Sequence, residues 1–544
     1  MAGAREHLRS GFESWRAATW SPMRFGTFRA LWIATLASYF GAVIQTVGAA
    51  WQMTTLGVSA DWVAFVQAAS LAPIVLFALA SGALADIGDR RIIMLLAQAF
   101  GAIVSLTLVG VAVLGAVTPI NLLGFTLLIG CAAALAQPAW QAAVGDLVDR
   151  KSLPAAIALN ALSYNAARSL GPAIGGAIVA AIGAVGAFAV NAVSYFGLIL
   201  VLLNWRPPPR SERLPPEPIG RAIASGLRYA ALSPPLLALY VRGALFGICA
   251  SSVLALLPLV ARDRLGGGPM TYGLLLGGFG VGSMAAALLT AHARQLMPAH
   301  QLVGVCSVIY ALVTAIVALS PALGLSIAAL SVAGGAWILV LATIGTCIQM
   351  SCPRWVVGRC VSLGQVASIG GLSIGSVLWG VVAAHAGVQT SLLASAAALV
   401  ASLAFAFVFR IIDADDADWT AAPYPVPPPA AAVKGNAGPI IVTIEYRVRR
   451  ESAPDFLRAI HEVGRVRRRD GARRWSVSQD LDDPEIWRER YQSPTWTEHL
   501  RRVSRVTAAD KIIRDSILRF HDGEAPVVIR MLERPPGAEP LGED

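Results

Sequence analysis

Long apolar runs separated by short polar gaps fill the chain from residue 28 to residue 410. Twelve such runs lie near 28–53, 62–85, 92–115, 119–145, 153–182 and 184–205, then 235–261, 270–293, 301–320, 322–350, 359–385 and 388–410. Each can supply the ~20 apolar residues that a helix needs to cross a bilayer core of about 30 Å. The pattern predicts an all-α membrane protein of twelve transmembrane helices in two sets of six, 28–205 and 235–410. The two sets share a weak internal repeat. Leu159-Asn-Ala-Leu-Ser and Leu363-Gly-Gln-Val-Ala open comparable runs, and Gly171 and Gly176 stand at the same offset from Gly375 and Gly380.

The gaps orient the chain. Arg24 with Arg29, Arg90 with Arg91, Arg150 with Lys151, the stretch from Arg206 to Arg228, Arg294, Arg354 with Arg359, and Arg410 flank alternate gaps. The opposite gaps carry almost no cations, Arg262 and Arg264 excepted. Positive charge on the inner side places both termini in the cytoplasm. Residues 1–27 are then a cytoplasmic segment. The stretch Met1 to Pro22, with Arg5, Arg9 and Arg16, lacks an apolar core ahead of a cleavage site and does not read as a signal peptide. Residues 206–234 are a cytoplasmic central loop. Its prolines between Arg206 and Pro218 favour extended backbone. Ile219, Ile223 and Leu227 then recur at helical spacing opposite Arg221 and Arg228, an amphipathic helix on the inner membrane face.

Beyond 410 the pattern changes. Asp413, Asp415, Asp416 and Asp418, followed by Pro423, Pro425 and Pro427 to Pro429, mark residues 411–438 as an exposed linker. From 439 to 533 the chain reads as a separate α+β domain, with 534–544 as a tail. Ile440, Val442, Ile444 and Tyr446 alternate with Thr443, Glu445 and Arg447, the period of a strand. Phe456, Ile460 and Val463 follow at helical spacing. Strand-like runs come around Trp475–Val477 and Trp487–Tyr491. Helix faces follow at Trp496, Leu500 and Val503 and at Ile513, Ile517 and Phe520, and a last strand at Val527, Ile529 and Met531. The order β-α-β-β-α-(α)-β is a ferredoxin-like split βαβ plan.

Composition agrees with this division. Hydrophobic residues make up 56% of the chain and charged residues 14%, against roughly a quarter charged in a soluble protein. The net charge of +10 is uneven, with nearly half of the arginines and lysines after residue 430. Cys131, Cys249, Cys306, Cys347, Cys352 and Cys360 lie in or beside apolar runs without Cys-x-x-Cys spacing, so neither a disulfide framework nor a zinc site is expected. No phosphate-binding Gly-x-x-x-x-Gly-Lys-Ser/Thr occurs, which leaves ATP hydrolysis without its loop. No cofactor and no metal are expected.

Two stretches carry chemistry. The first is Gly82-Ala-Leu-Ala-Asp-Ile-Gly-Asp-Arg-Arg91, between the second and third runs. Its charges cannot lie in hydrocarbon, so it surfaces, and its arginines put it inside. It resembles the loop between helices 2 and 3 of the major facilitator superfamily, Gly-x-Leu-x-Asp-Arg-x-Gly-Arg-Arg. Gly82, Leu84, Asp86, Arg90 and Arg91 match, while Ile87 and Asp89 depart. The resemblance implies a cytoplasmic gate of Gly82, Asp86, Arg90 and Arg91. Asp146, at the inner end of helix 4, matches the acid that joins the loop arginine in that family, and Arg90 is its expected partner.

The second stretch is Leu159 to Gly176. Gly171, Pro172, Gly175 and Gly176 resemble the fifth-helix Gly-Pro-x-x-Gly-Gly of the superfamily's exporters. Glycines there thin a helix and let neighbours approach. Together with Pro138 to Arg150, the stretch is similar to the enterobactin-exporter-like, or transmembrane secretion effector, branch. Within it Arg168 lies about 15 residues into its run, roughly 22 Å of helix rise. A charge at that depth usually faces a polar cavity. No acid lies at comparable depth, since Asp61, Asp86, Asp146 and Asp263 sit near run ends. Arg168, Asn160 and Asn165 are the substrate-binding candidates, and an anionic substrate suits the arginine. The competing reading is that Arg168 bonds helix carbonyls or reaches the interface. Arg242, nearer a run end, reads as a snorkelling residue.

The soluble domain resembles the dimeric α/β-barrel class that includes antibiotic-biosynthesis monooxygenases, which implies a homodimer through 439–533. His461, His499, His521 and Trp475 there have no ligand spacing. The basic run Arg465 to Arg474 reads as a solvated surface, with no stacking platform for nucleic acid. The resemblances imply a non-enzymatic, proton-coupled secondary exporter of a siderophore-like or drug-like small molecule across the inner membrane by alternating access. The alternatives are a sensor or monooxygenase-like domain on a transporter scaffold, and an importer of the same fold.

Overall fold

The computed structural model describes residues 20–87, 89–149, 152–205, 219–353, 355–411, 420, 422, 427–429 and 433–534, with the side chains of 78–87 outside that set. The chain divides into two compact units. One holds residues up to 216 with 239–345 and 362–411, and the other holds 217–238, 346–361 and 412–544.

The first unit is helical. Helices α1 (Gly26–Thr55), α2 (Ala60–Ile87), α3 (Arg90–Val113), α4 (Pro119–Leu147) and α5 (Leu153–Asn204) build its first half. α5 has 52 residues, about 78 Å at the rise of an α-helix, more than two bilayer cores. It is broken at Gly183, whose φ of 74° is open to glycine at little cost. The chain reverses there. Ala156 and Leu159 near one end share a core cluster with Leu198, Leu202 and Trp205 at the other, packed on Phe28, Leu31 and Trp140. Eleven helices are long and apolar enough to span a membrane among the described residues. With α5 counted as two passes, twelve crossings result.

The second half continues, after the short amphipathic helix α6 (Ile219–Ala231), with α7 (Pro234–Leu259), α8 (Pro269–Leu296), α9 (Ala299–Leu319), α10 (Leu323–Met350), α11 (Val357–Ala386) and α12 (Val388–Ala401). Small residues set the packing. An added Cβ on Gly371 would strike Ala244 of α7, as one on Gly171 would strike Val43 of α1. Within each half the corresponding pair of helices, α1 with α5 and α7 with α11, therefore packs through glycine in the same way, because membrane helices gain by close backbone approach.

The second unit is built on a four-stranded antiparallel sheet in the order β2-β3-β1-β4, with β1 at Ile440–Arg447, β2 at Arg473–Gln479, β3 at Ile486–Ser493 and β4 at Val527–Leu532. Helices α13 (Ala453–Arg469), α14 (Trp496–Ser504) and α15 (Ala508–Leu518) complete the split βαβ order. The inner face of β1, with Val442, Ile444 and Tyr446, packs on Phe456, Ile460 and Val463. In β4 the register sets Val528 opposite Ile444 and Arg530 opposite Val442. The inner face of β4 is therefore Val528 and Arg530, whereas the Val527, Ile529, Met531 alternation lies on the outer face and is exposed.

This unit also takes in α6 and the segment 346–361. Tyr229 of α6 is fully buried, its ring edge-on to Trp355 at 5.6 Å. Arg469 of α13 stacks over Tyr229 at 4.7 Å, and Arg505 over Trp355 at 4.1 Å. The basic run is thus not a uniformly solvated face. Arg467 and Arg469 are buried, the first paired with Glu489 and the second with Asp470 and Asp510. Burial tolerates these cations because each faces a carboxylate.

Candidate functional site: a central cavity and its closures

A cavity of about 170 Å³ lies between the two halves of the helical unit. Asn165, Arg168, Ser169 and Pro172 of α5 line it with Gln67 of α2, Tyr272 of α8 and Ile338 of α10. Arg168 is exposed, and the nearest ring to its guanidinium is Tyr164 at 5.8 Å. Among the described residues it forms no ion pair. Asn165 donates its amide to the carbonyl of Ala161 at 2.9 Å, and among the described residues its side-chain oxygen has no partner. Asn160 is not among the lining residues. Its oxygen accepts a 2.8 Å hydrogen bond from Trp140 Nε1, tying α5 to α4.

The glycine motif of α5 works in two directions. A Cβ added at Gly175 would meet Ile44 and Val47 of α1 at 3.2 Å, so this part of the motif packs within the first half. Gly176 instead faces the second half, where an added Cβ would come within 2.7 Å of the Pro269 carbonyl and 2.8 Å of Gly273 Cα. Ser169 Oγ extends the seam by donating to the Gly280 carbonyl at 2.8 Å. The repeat partner of Gly176, Gly380 of α11, meets Ala64 and Asp61 of α2. The cavity is thus closed at one end by two related seams, α5 on α8 and α11 on α2.

Towards the other end of the first half, the loop after α2 passes into α3. Asp89 caps α3, its carboxylate accepting from the backbone N–H of Arg91 at 2.9 Å. This gives a physical use for the departure at that position, since a capping carboxylate satisfies free N–H groups of the first turn. The cap places Arg90 and Arg91 on the first turn. Arg90 Nη1 donates to Asp146 Oδ2 at 2.6 Å and to the Ala142 carbonyl at 2.9 Å. Arg91 donates to the carbonyls of Leu202 and Leu203 at the end of α5. Gly82 and Asp86 lie outside the described side chains.

Arg242 of α7 departs from the snorkelling expectation. It is 6% exposed, and its Nη1 has no hydrogen-bond partner among the described residues. Helix packing on all sides, invisible to a count of residues from the run end, buries it. In the second unit His461 contacts the Leu457 carbonyl through Nδ1, and His521 Nδ1 accepts from the Arg447 N–H. Among the described residues no cluster of His, Cys, Asp and Glu is arranged to hold a metal ion.

The transmembrane secretion effector family matches residues 17–535, nearly the whole chain and both units. A staphyloferrin A transporter of Staphylococcus aureus is 29% identical over 166 residues, which are 30% of this chain and 42% of that relative. The chain thus spans less than half the length of this curated relative. Among solved structures, a bacterial homologue of the human lysosomal transporter Spinster, inward-facing and occupied, superposes with a TM-score of 0.58 at 17% identity, covering 71% of this chain and 97% of that one. The nucleoside transporter NupG superposes with a TM-score of 0.55 at 15% identity, covering 70% and 98%. These likenesses establish the fold of the helical unit, and the relatives are transporters. With the apolar spans, the two related six-helix halves and the match over residues 17–535, the chain belongs to the transmembrane secretion effector family of major facilitator transporters.

Proposed function

We propose that the protein is a proton-coupled secondary exporter of the cell inner membrane, with both termini cytoplasmic, that moves an anionic, siderophore-like or drug-like small molecule by alternating access. The observation that carries the reading is Arg168, a cation exposed to the cavity between the halves and in no ion pair among the described residues. A guanidinium offers five donors in a planar fork, suited to a carboxylate or to paired catechol oxygens. Asn165 beside it supplies a free acceptor. The staphyloferrin A transporter among the relatives and the Gly-Pro-x-x-Gly-Gly of α5 favour this substrate class and the outward direction. Arg90, Arg91 and Asp146, with Gly82 and Asp86, serve as the cytoplasmic gate. The exposed Val527, Ile529 and Met531 form the face through which 439–533 associates with a second copy, since an open apolar sheet face favours pairing.

The test is uptake into inverted vesicles matched for folded protein, with one acidic and one neutral compound. Arg168→Ala abolishes transport of the acidic compound first, and Arg168→Lys retains part of it. Equal rates for wild type and Arg168→Ala with the acidic compound would overturn the substrate role. Accumulation in the opposite sense would overturn the direction.

A further inference from the structure

The soluble unit contains a second cavity, of about 360 Å³, between the inner face of its sheet and helices α14 and α15. We propose that this cavity is a ligand site for a small aromatic carboxylate, separate from the transport pathway. Its floor is apolar, with Ile444 and Val528 from the sheet and Leu518 from α15. Val528 is cross-strand neighbour to the buried Ile444, yet it is 57% exposed. An apolar side chain on the core face of a sheet, left open inside a concavity, is what a ligand's apolar body would cover.

The charges around the floor favour one sign. Of the arginines lining the cavity, Arg467 is answered by Glu489 and Arg514 by Asp515. Arg530 is in no ion pair among the described residues. It donates to the Pro427 carbonyl at 2.8 Å and lies 5.9 Å from the Trp496 ring. His499, also in the lining, is 3% exposed. Burial, then Arg502, Arg530 and Arg467, push its imidazole down to about 4, so it adds no charge at neutral pH. What remains is one uncompensated guanidinium at the mouth of an apolar cleft, within the size range of about 300–1,000 Å³ typical of small-molecule sites. One carboxylate answers Arg530, and one or two aromatic rings cover Ile444, Val528 and Leu518.

The experiment is calorimetric titration of the full-length protein in detergent with 2-naphthoate, and with 2-naphthamide as its neutral isostere. Saturable binding of 2-naphthoate is expected, at least tenfold tighter than that of the amide. Arg530→Gln weakens it tenfold or more. Val528→Trp, which fills the cleft from an exposed strand position, removes it. Arg168→Gln, in the membrane cavity, leaves it intact. Circular dichroism confirms that each variant folds. The proposal fails if no saturable binding occurs up to millimolar naphthoate, if the amide binds equally, or if Arg530→Gln and Val528→Trp both bind as wild type. Loss in Arg168→Gln alone would move the ligand to the membrane cavity and also overturn it.

Discussion

Gly176 and Gly273 face each other so closely that a methyl group on the first would lie 2.8 Å from the Cα of the second. The opposing atoms are backbone and cannot rotate away. Gly176→Ala therefore forces α5 and α8 apart in this state, at a cost of about 1–3 kcal/mol for overpacking. A state in which the seam is open pays none of it, so the equilibrium moves toward that state by roughly 5- to 150-fold. Spin labels at Ile182 and Met270 should report a longer mean separation in Gly176→Ala, with slowed transport. An unchanged distance distribution would show that this seam does not open during the cycle.

Asp146 and Arg90 make a short but partly exposed pair, with side chains 34% and 21% exposed. Such a pair contributes about 0–1 kcal/mol to stability. Asp146→Asn should therefore melt close to wild type, yet transport several-fold more slowly if the pair forms and breaks during the cycle. The exchanged variant Asp146→Arg with Arg90→Asp should recover only part, because Arg90 also holds the Ala142 carbonyl. Wild-type rates in Asp146→Asn would reduce the contact to an ordinary surface pair.

The membrane spans were readable because bilayer thickness imposes a run length that no packing detail can hide. Gly183 shows the same logic, since the chain reverses between two runs that are each long enough to cross. The sheet of the second unit was readable from the alternation through Ile440, Val442 and Ile444. In β4, however, Val528 and Leu532 flank Arg530 on one face while Val527, Ile529 and Met531 fill the other, so period alone pointed to the wrong face as the inner one. Arg242 and the pair Arg467 and Arg469 escaped for a shared reason. A long cationic side chain reads as exposed unless its neighbours are known, and those neighbours come from distant parts of the chain. The stacking of Arg469 on Tyr229 joins segments more than 200 residues apart and has no local signature.

Arg242 carries a cost that packing alone does not return. Its buried Nη1 lacks a partner among the described residues, and a buried charge without full compensation is often stabilising to remove, by about 1–4 kcal/mol. Arg242→Met, of similar length, should raise the melting temperature of the detergent-solubilised protein. If the guanidinium serves transport, the same variant loses activity, the usual opposition between stability and function. A lower melting temperature would instead mean that Arg242 is satisfied by groups that the fold keeps in place.

His499 makes the second unit sensitive to acid. Its folded value of about 4 lies below the ordinary 6.5, chiefly because it is buried, then because of Arg502, Arg530 and Arg467. Between about pH 6.5 and 4 the unfolded chain therefore binds a proton that the folded chain refuses, so stability falls as pH falls. A shift of this size corresponds to about 3 kcal/mol at most. Asp470 works in the other direction. Burial raises its carboxyl above the usual range against the opposing pull of Arg469, so its protonation favours the fold as pH falls. The two effects overlap in wild type and are separated by His499→Gln. That variant keeps an acceptor for Arg502, which approaches His499 Nδ1 at 3.4 Å, and removes the titrating group. Hydrogen exchange of the peptide 440–447, corrected for its intrinsic pH dependence, reads the stability of this unit within the full-length protein. Wild type should lose protection between pH 7 and pH 4.5, and His499→Gln should lose less or gain. An equal loss in both would place the acid sensitivity elsewhere.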